Sequence, residues 1–207
     1  MTDRWQQVTA GIALVGGGLA VVSSIPGAWY GLEPGDSYVF DPVPFSPLWI
    51  DRTVVPLLSV GALLALLVGV GSLVYRDWAR GRLHRVGGVG TVVGGLTLLA
   101  GIYAPAVVTP RGTPDGIVAS LAALTLLLWG GVLLLIGGTL FAYSALRAGR
   151  SWLGWTMLGT LPAVFVLGYV LPDPIDGLGS SLPLLFLAAV FARELLGGGP
   201  VADPGPD

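Results

Sequence analysis

The strongest constraint on this chain is a run of thirty-one residues, 116–146, that contains no Asp, Glu, Lys, Arg or His. A helix rises about 1.5 Å per residue and the apolar core of a bilayer is roughly 30 Å thick, so about twenty apolar residues are enough to cross it. In lipid, every backbone amide must also find a partner inside the protein, which restricts spanning segments to helices and closed barrels. The run therefore predicts a transmembrane helix.

The composition of the whole chain is that of a membrane protein. Of its 207 residues, 54% are hydrophobic and 11% are charged, whereas charged residues make up about a quarter of a soluble domain. We predict an all-α polytopic bundle of six transmembrane helices, formed by a single membrane domain of residues 1–196 and followed by a disordered tail at 197–207. The spans are expected at about residues 8–25, 54–75, 87–105, 117–143, 152–171 and 180–196, and the sixth rests on the shortest uncharged run.

The first predicted span has a second interpretation. Arg4 precedes the apolar run, and Val22, Ser23 and Ser24 resemble the small-residue cleavage site of a secretory signal peptide. The run is long for the apolar region of a signal peptide, which favours a retained span. Either interpretation leaves the later spans in place.

The arginines are distributed unevenly between the two ends of the predicted spans. The end that carries both termini holds eight of the ten basic residues, and the opposite end holds Arg52 and Arg111. Because basic residues in short loops collect on the cytoplasmic side, we expect both termini in the cytoplasm and the protein in the cell (plasma) membrane. The arginines expected in the cytoplasm are Arg4, Arg76, Arg80, Arg82, Arg85, Arg147, Arg150 and Arg193.

One long connection, residues 26–52, joins the first two spans on the expected outer side. Its five prolines, beginning with Pro26, are expected to end the first helix and to keep the segment non-helical. Its aromatic side chains are suited to the headgroup region or to a protein partner, because Trp and Tyr often dominate binding. The candidate partner-binding residues are Trp29, Tyr30, Tyr38, Phe45 and Trp49.

The outer side also carries the chain's most obvious set of carboxylates. Turns, helix caps and solubility account for most of these residues, because Asp beside Pro is ordinary turn chemistry; a cation site is the alternative. The acidic patch consists of Glu33, Asp36, Asp41, Asp51, Asp173 and Asp176.

The predicted span interiors contain no Asp, Glu, Lys, Arg or His. Such residues inside the membrane usually mark a proton pump, an ion-coupled carrier or a voltage sensor, so these functions are not expected. The chain also has no Cys and no Lys, so thiolate and Schiff-base chemistry are excluded. We therefore expect no enzymatic activity and no cofactor. The expected partners are the lipid bilayer and another membrane or exoplasmic protein; a net charge of -2 makes nucleic acid a poor candidate.

Two further patterns carry structural predictions. The segment 76–85, RDWARGRLHR, is expected to form a loop near anionic headgroups, with His84 at the membrane surface. Small residues at helical spacing are expected to let backbones approach closely. They are Gly61, Ala65 and Gly69 in the second span, and Gly87, Gly90, Thr91, Gly94 and Gly95 in the third.

Two functional hypotheses follow from these patterns. The leading one is a non-enzymatic accessory or scaffold subunit that docks partners through the outer loop. The alternative is a small permease for a neutral or lipidic solute, with its path between the third, fourth and fifth spans. The residues expected on that path are Trp129 and Pro162.

Overall fold

The computed structural model describes residues 2–30, 46, 49–108, 114–171 and 176–197, and these residues are helical without a strand. Each helix contains an apolar stretch of 20 to 30 residues, enough to cross a membrane, so the predicted all-α architecture with six candidate spans is confirmed. The helices are α1 (Thr2–Tyr30), α2 (Val55–Arg76), α3 (Arg82–Val108), α4 (Pro114–Arg147), α5 (Ser151–Val170) and α6 (Asp176–Gly197).

Two closely packed pairs of helices run in opposite directions. The hydroxyl oxygens of Ser24 and Ser181 lie 3.2 Å apart, and Gly17 packs against Ala188, so α1 and α6 are antiparallel. The same pattern relates α3 and α4, since Gly90 packs against Gly137 near one end of the pair and Gly101 packs against Leu127 near the other.

This alternation brings one end of each helix together. Arg76 at the end of α2 contacts Glu194 near the end of α6, and Arg150 before α5 contacts Asp77 after α2. We call this the arginine end of the bundle.

The best-packed part of the core lies near the arginine end. The fully buried large side chains come from the last turns of α2, α4 and α6 and from the first turn of α5, and Ala10 and Ala13 of α1 pack with them. Lipid tails are as apolar as these side chains, so helices in a membrane associate through close van der Waals packing. The fully buried large apolar residues are Leu73, Phe141, Leu153, Phe191 and Leu195.

Small residues form the contact between α3 and α4, as the sequence predicts. A Cβ atom added to Gly90 would lie 3.2 Å from the Cα of Gly137, and one added to Gly130 would lie 2.5 Å from the backbone nitrogen of Leu98. In α2, a Cβ on Gly69 would lie 3.1 Å from Phe191. These glycines let the helix backbones approach more closely than larger side chains would permit.

The prediction that Pro26 ends the first helix is wrong, because α1 continues to Tyr30 with Pro26 inside it, although the apolar span itself is Arg4–Pro26. Proline removes one backbone donor, which membrane helices tolerate where serine hydroxyls and neighbouring helices satisfy the freed groups. Near the proline, the hydroxyls of Ser23 and Ser24 donate to the carbonyls of Ala20 and Val21 over 2.8 and 2.7 Å, whereas the carbonyl that Pro26 leaves without its helical donor is that of Val22. Another part of the predicted non-helical loop, Ile50–Val54, is a π-helical turn that leads into α2.

The prediction of a loop over residues 76–85 is also wrong in its second half. A short 3₁₀ turn, Trp78–Arg80, is followed by Gly81 with φ 122°, and α3 begins at once with Arg82. Glycine accepts this backbone conformation readily, so the chain reverses within a few residues. The sixth helix is likewise longer than predicted, because it begins at Asp176.

Candidate functional site

Four charged side chains meet at the arginine end. Arg150 Nη1 donates a hydrogen bond of 2.7 Å to Asp77 Oδ2, and Arg150 Nε lies 3.4 Å from Glu194 Oε2. Arg76 Nε lies 3.4 Å from the second oxygen of Asp77. The four side chains are only 7–17% exposed. This charge cluster combines two arginines with two carboxylates, and such pairing is what makes buried charges tolerable.

A glycine-dependent turn places Arg150 in the charge cluster. Gly149 has φ 76°, and its N–H donates to the carbonyl of Leu146 over 3.0 Å. The N–H of Arg150 donates to the carbonyl of Ala145 over 2.9 Å. This pair of hydrogen bonds is the Schellman arrangement that ends many helices, with glycine in the left-handed position. The turn closes α4 and brings Arg150 next to Asp77.

Arg76 links the charge cluster to the end of α6. Its Nη1 donates to the backbone carbonyl of Glu194, in the last turn of that helix. Carbonyls in a last turn have no partner within their own helix, and the negative end of the helix dipole favours a cation there. The cluster therefore clamps the ends of α2 and α6 to the turn between α4 and α5.

His84 lies in the contact between α3 and α4, where it is buried inside the chain and not exposed to headgroups. Its side chain is 4% exposed, its ring lies 4.6 Å from the ring of Phe141, and its Nδ1 lies 3.0 Å from the hydroxyl of Ser144. Ser144 donates its single hydroxyl hydrogen to the carbonyl of Phe141 over 2.7 Å. When the hydroxyl donates to that carbonyl, the hydrogen bond between His84 and Ser144 requires a proton on Nδ1.

The sequence carries a signal for the burial of His84. The residue lies one helical turn before Gly87 and continues the stripe through Thr91 that packs against α4. Residues three and four positions apart share a face of a helix, so a helix begun at Arg82 would have placed His84 on the buried face. The sequence gives a weaker indication that Asp77 and Glu194 are buried, because their partner Arg150 is distant from both in the chain.

The structure describes only part of the predicted outer loop. Trp29 and Tyr30 form the end of α1, and their side chains lie outside the described residues. Trp49 is half-buried, and its backbone N–H donates to the hydroxyl of Ser46 over 3.2 Å. Tyr38 and Phe45 lie outside the described residues.

The predicted acidic patch is described only in its backbone. Asp51 lies in the π-helical turn before α2, and Asp176 is the first residue of α6. The side chains of Asp51 and Asp176 lie outside the described part of the chain. The other four residues, Glu33, Asp36, Asp41 and Asp173, lie wholly outside it.

Both residues of the predicted solute path lie on the outer surface of the single chain. Trp129 on α4 is 58% exposed, and Pro162 in the middle of α5 is also exposed. The helix around Pro162 continues unbroken from Ser151 to Val170.

No known protein family, curated protein or solved structure matches this chain. Within the described ranges, no three His, Asp or Glu side chains are grouped so as to hold a metal ion. The function therefore has to be inferred from the surfaces and contacts of the chain itself.

Proposed function

We propose that this multi-pass membrane protein is a non-enzymatic accessory or scaffold subunit, and that α4 carries its contact with a partner inside the membrane. The observation that carries the proposal is the low burial of α4. Only 11% of its most apolar stretch is buried within the chain, compared with 50% for α2. The longest span is thus also the one with the most surface left for lipid or for another helix.

The glycines of α4 favour a helix as the occupant of part of that surface. Four of them occur as two adjacent pairs separated by seven residues, and one member of each pair, Gly130 and Gly137, receives α3. The other members, Gly131 and Gly138, have no atom of the described chain within 4 Å of an added Cβ. Seven residues are close to two helical turns, so these two glycines form one open glycine face. Such faces let a second helix approach closely in lipid.

The neighbouring helix leaves this face uncovered. Near the connecting turn α5 meets α4, where a Cβ on Gly154 would lie 2.9 Å from the carbonyl oxygen of Ala142. Farther from the turn, the open glycine face has no such contact. A partner helix placed there would pack beside α5 and extend the bundle.

The experiment compares two matched double variants in the native host membrane. Gly131→Leu with Gly138→Leu fills the open glycine face, and a co-purifying membrane partner is expected to be lost in mild detergent. The control is Gly11→Leu with Gly18→Leu on α1, which has the same seven-residue spacing and also nothing within 4 Å of an added Cβ. Equal partner recovery from both variants contradicts docking on α4.

The outer loop is the second part of the docking proposal. The aromatic side chains of Trp29, Phe45 and Trp49 are well suited to a protein contact above the membrane. Replacing all three by Ala is expected to release the same partner without changing the helical content of the protein. If the partner stays bound, the loop has no part in docking.

We also infer that both termini face the cytoplasm and that the membrane is the plasma membrane. The inference is supported by the antiparallel order of the spans and by the arginines gathered at one end. The chain has no Cys, so a cysteine introduced at Thr2 or Gly197 can be labelled without background. A membrane-impermeant maleimide is expected to label either position only after the cells are opened. Labelling of intact cells would show that the termini face the outside of the cell.

A further inference from the structure

An open groove of about 590 Å³ follows the outer surface of α3 from the arginine end into the apolar region. Its polar mouth consists of Trp78, Arg82 and Arg85. The Arg85 guanidinium carbon lies 5.4 Å from the centre of the Trp78 ring, an arrangement that orients the planar cation. The buried Nε of Arg85 has no hydrogen-bond partner among the residues that the structure describes. The mouth thus presents two cations.

Beyond the mouth the groove becomes apolar. Its wall is a stripe of exposed valines, Val86, Val89 and Val93, and Leu133 of α4 forms the opposite side. Gly90 also lines the groove, at the place where α3 packs against Gly137 of α4. One helix face therefore presents a cationic patch followed by an apolar channel.

The length of the groove corresponds to one leaflet of a bilayer. Arg82 and Val93 are eleven residues apart on α3, which at about 1.5 Å per residue is roughly 16 Å. Half of a hydrocarbon core of about 30 Å is roughly 15 Å. An acyl chain in the groove would end near the middle of the bilayer when its headgroup is at the arginines.

We propose that this groove is a binding site for one anionic glycerophospholipid. The phosphate is held by Arg82 and Arg85, because a guanidinium presents paired donors that match phosphate oxygens. One acyl chain lies along Val89 and Val93 and over Gly90. Basic pockets between membrane helices are known to take anionic headgroups in this way. The site is separate from the open glycine face and does not depend on a protein partner.

The experiment measures lipid binding to the purified full chain by native mass spectrometry. Phosphatidylglycerol and phosphatidylcholine with identical acyl chains are added in turn, and the wild-type protein is expected to retain one phosphatidylglycerol in preference. Arg82→Gln with Arg85→Gln is expected to weaken phosphatidylglycerol binding roughly 30-fold, from the attraction of two arginines near the membrane surface. The matched control is Arg147→Gln, an exposed arginine at the same end that stacks on Tyr143 at 5.0 Å but does not line the groove.

A second variant tests the apolar half of the site without touching the charges. Val93→Trp places a large side chain in the groove from an exposed position, so the fold is expected to remain intact. Each buried CH₂ that the acyl chain loses weakens binding about fourfold. Val15→Trp, also at an exposed position, is the control on α1 and is expected to leave lipid binding unchanged.

Three results would overturn the proposal, besides displacement by phosphate. They are equal retention of the two lipids by the wild type, a loss from Arg147→Gln as large as that from the double arginine variant, and unchanged phosphatidylglycerol binding by Val93→Trp. Inorganic phosphate at millimolar concentration is expected to leave the lipid bound. Displacement by phosphate alone would show a site for soluble anions instead of a lipid.

Discussion

Removing one member of the ion pair between Asp77 and Arg150 is expected to destabilise the bundle strongly. The two side chains are 7% and 8% exposed, and their charged atoms are 2.7 Å apart. Loss of one partner from a buried pair costs about 3–5 kcal/mol, because the remaining charge stays buried without its counterion. Arg150 keeps Glu194 at 3.4 Å, and Asp77 keeps Arg76 at the same distance. We therefore expect the lower value, about 3 kcal/mol, for Asp77→Leu and for Arg150→Met.

The double variant Asp77→Leu with Arg150→Met shows whether the two single variants lose stability because they break one shared ion pair or through two independent effects. Apolar side chains of similar size can replace a buried pair at little cost, so the double variant should be no less stable than either single variant. The coupling free energy is then at least about 3 kcal/mol, at the upper limit of the range for residues in contact. Arg147→Met is the control, because this arginine is exposed and its stacking on Tyr143 contributes about 1 kcal/mol or less.

The assay is reversible unfolding in mixed micelles, with the free energy of unfolding obtained for the wild type, the two single variants, the double variant and the control. Single-variant losses below about 1 kcal/mol would show that the charge cluster does not hold the helix ends together. Additive losses in the double variant would show that Asp77 and Arg150 act separately. Either result refutes the role of the charge cluster as a clamp.

Three further predictions follow from the packing. Gly137→Leu is expected to destabilise the protein by more than about 2 kcal/mol, because the new side chain would overlap the backbone at Thr91. Its control, Gly138→Leu, is expected to stay within about 0.5 kcal/mol of the wild type in the same unfolding assay. Gly149→Ala is expected to cost about 1 kcal/mol because its φ of 76° strains a side chain, and Gly159→Ala in α5, with nothing within 4 Å, should cost nothing measurable. Proteoliposomes are expected to show no flux of neutral solutes above that of empty liposomes, and clear flux would favour the permease hypothesis over the scaffold.

The central part of each span could be predicted because lipid leaves little choice. An uncharged run of about twenty residues has to form a helix there, and the predicted bounds of α2 and α5 are within one residue of the structure. The helix ends could not be predicted as well. Pro26 is an ending signal in water, but it lies inside α1, and membrane helices tolerate proline better than helices in water do. Arg82 is a loop residue by its charge, yet it begins α3.

The candidate site was missed for a different reason. Charges at the ends of predicted spans were assigned to solvent, whereas the described structure buries Asp77 and Arg150 against each other. These residues are 73 positions apart, and His84 and Ser144 are 60 apart. Sequence spacing shows which residues share a face of one helix, but it does not show which faces meet. Only the arrangement of the helices supplies that information.

The two binding proposals concern different faces of the α3–α4 pair, so their tests can be kept separate. Successive residues are about 100° apart around a helix, which places Leu133 and Gly131 roughly 160° apart on α4. Leu133 borders the lipid groove, and Gly131 belongs to the open glycine face. Filling one face should therefore leave the other unchanged, provided that α3 and α4 keep their contact at Gly90 and Gly137. A groove-filling variant that also releases the partner would mean that the lipid itself forms part of the partner contact.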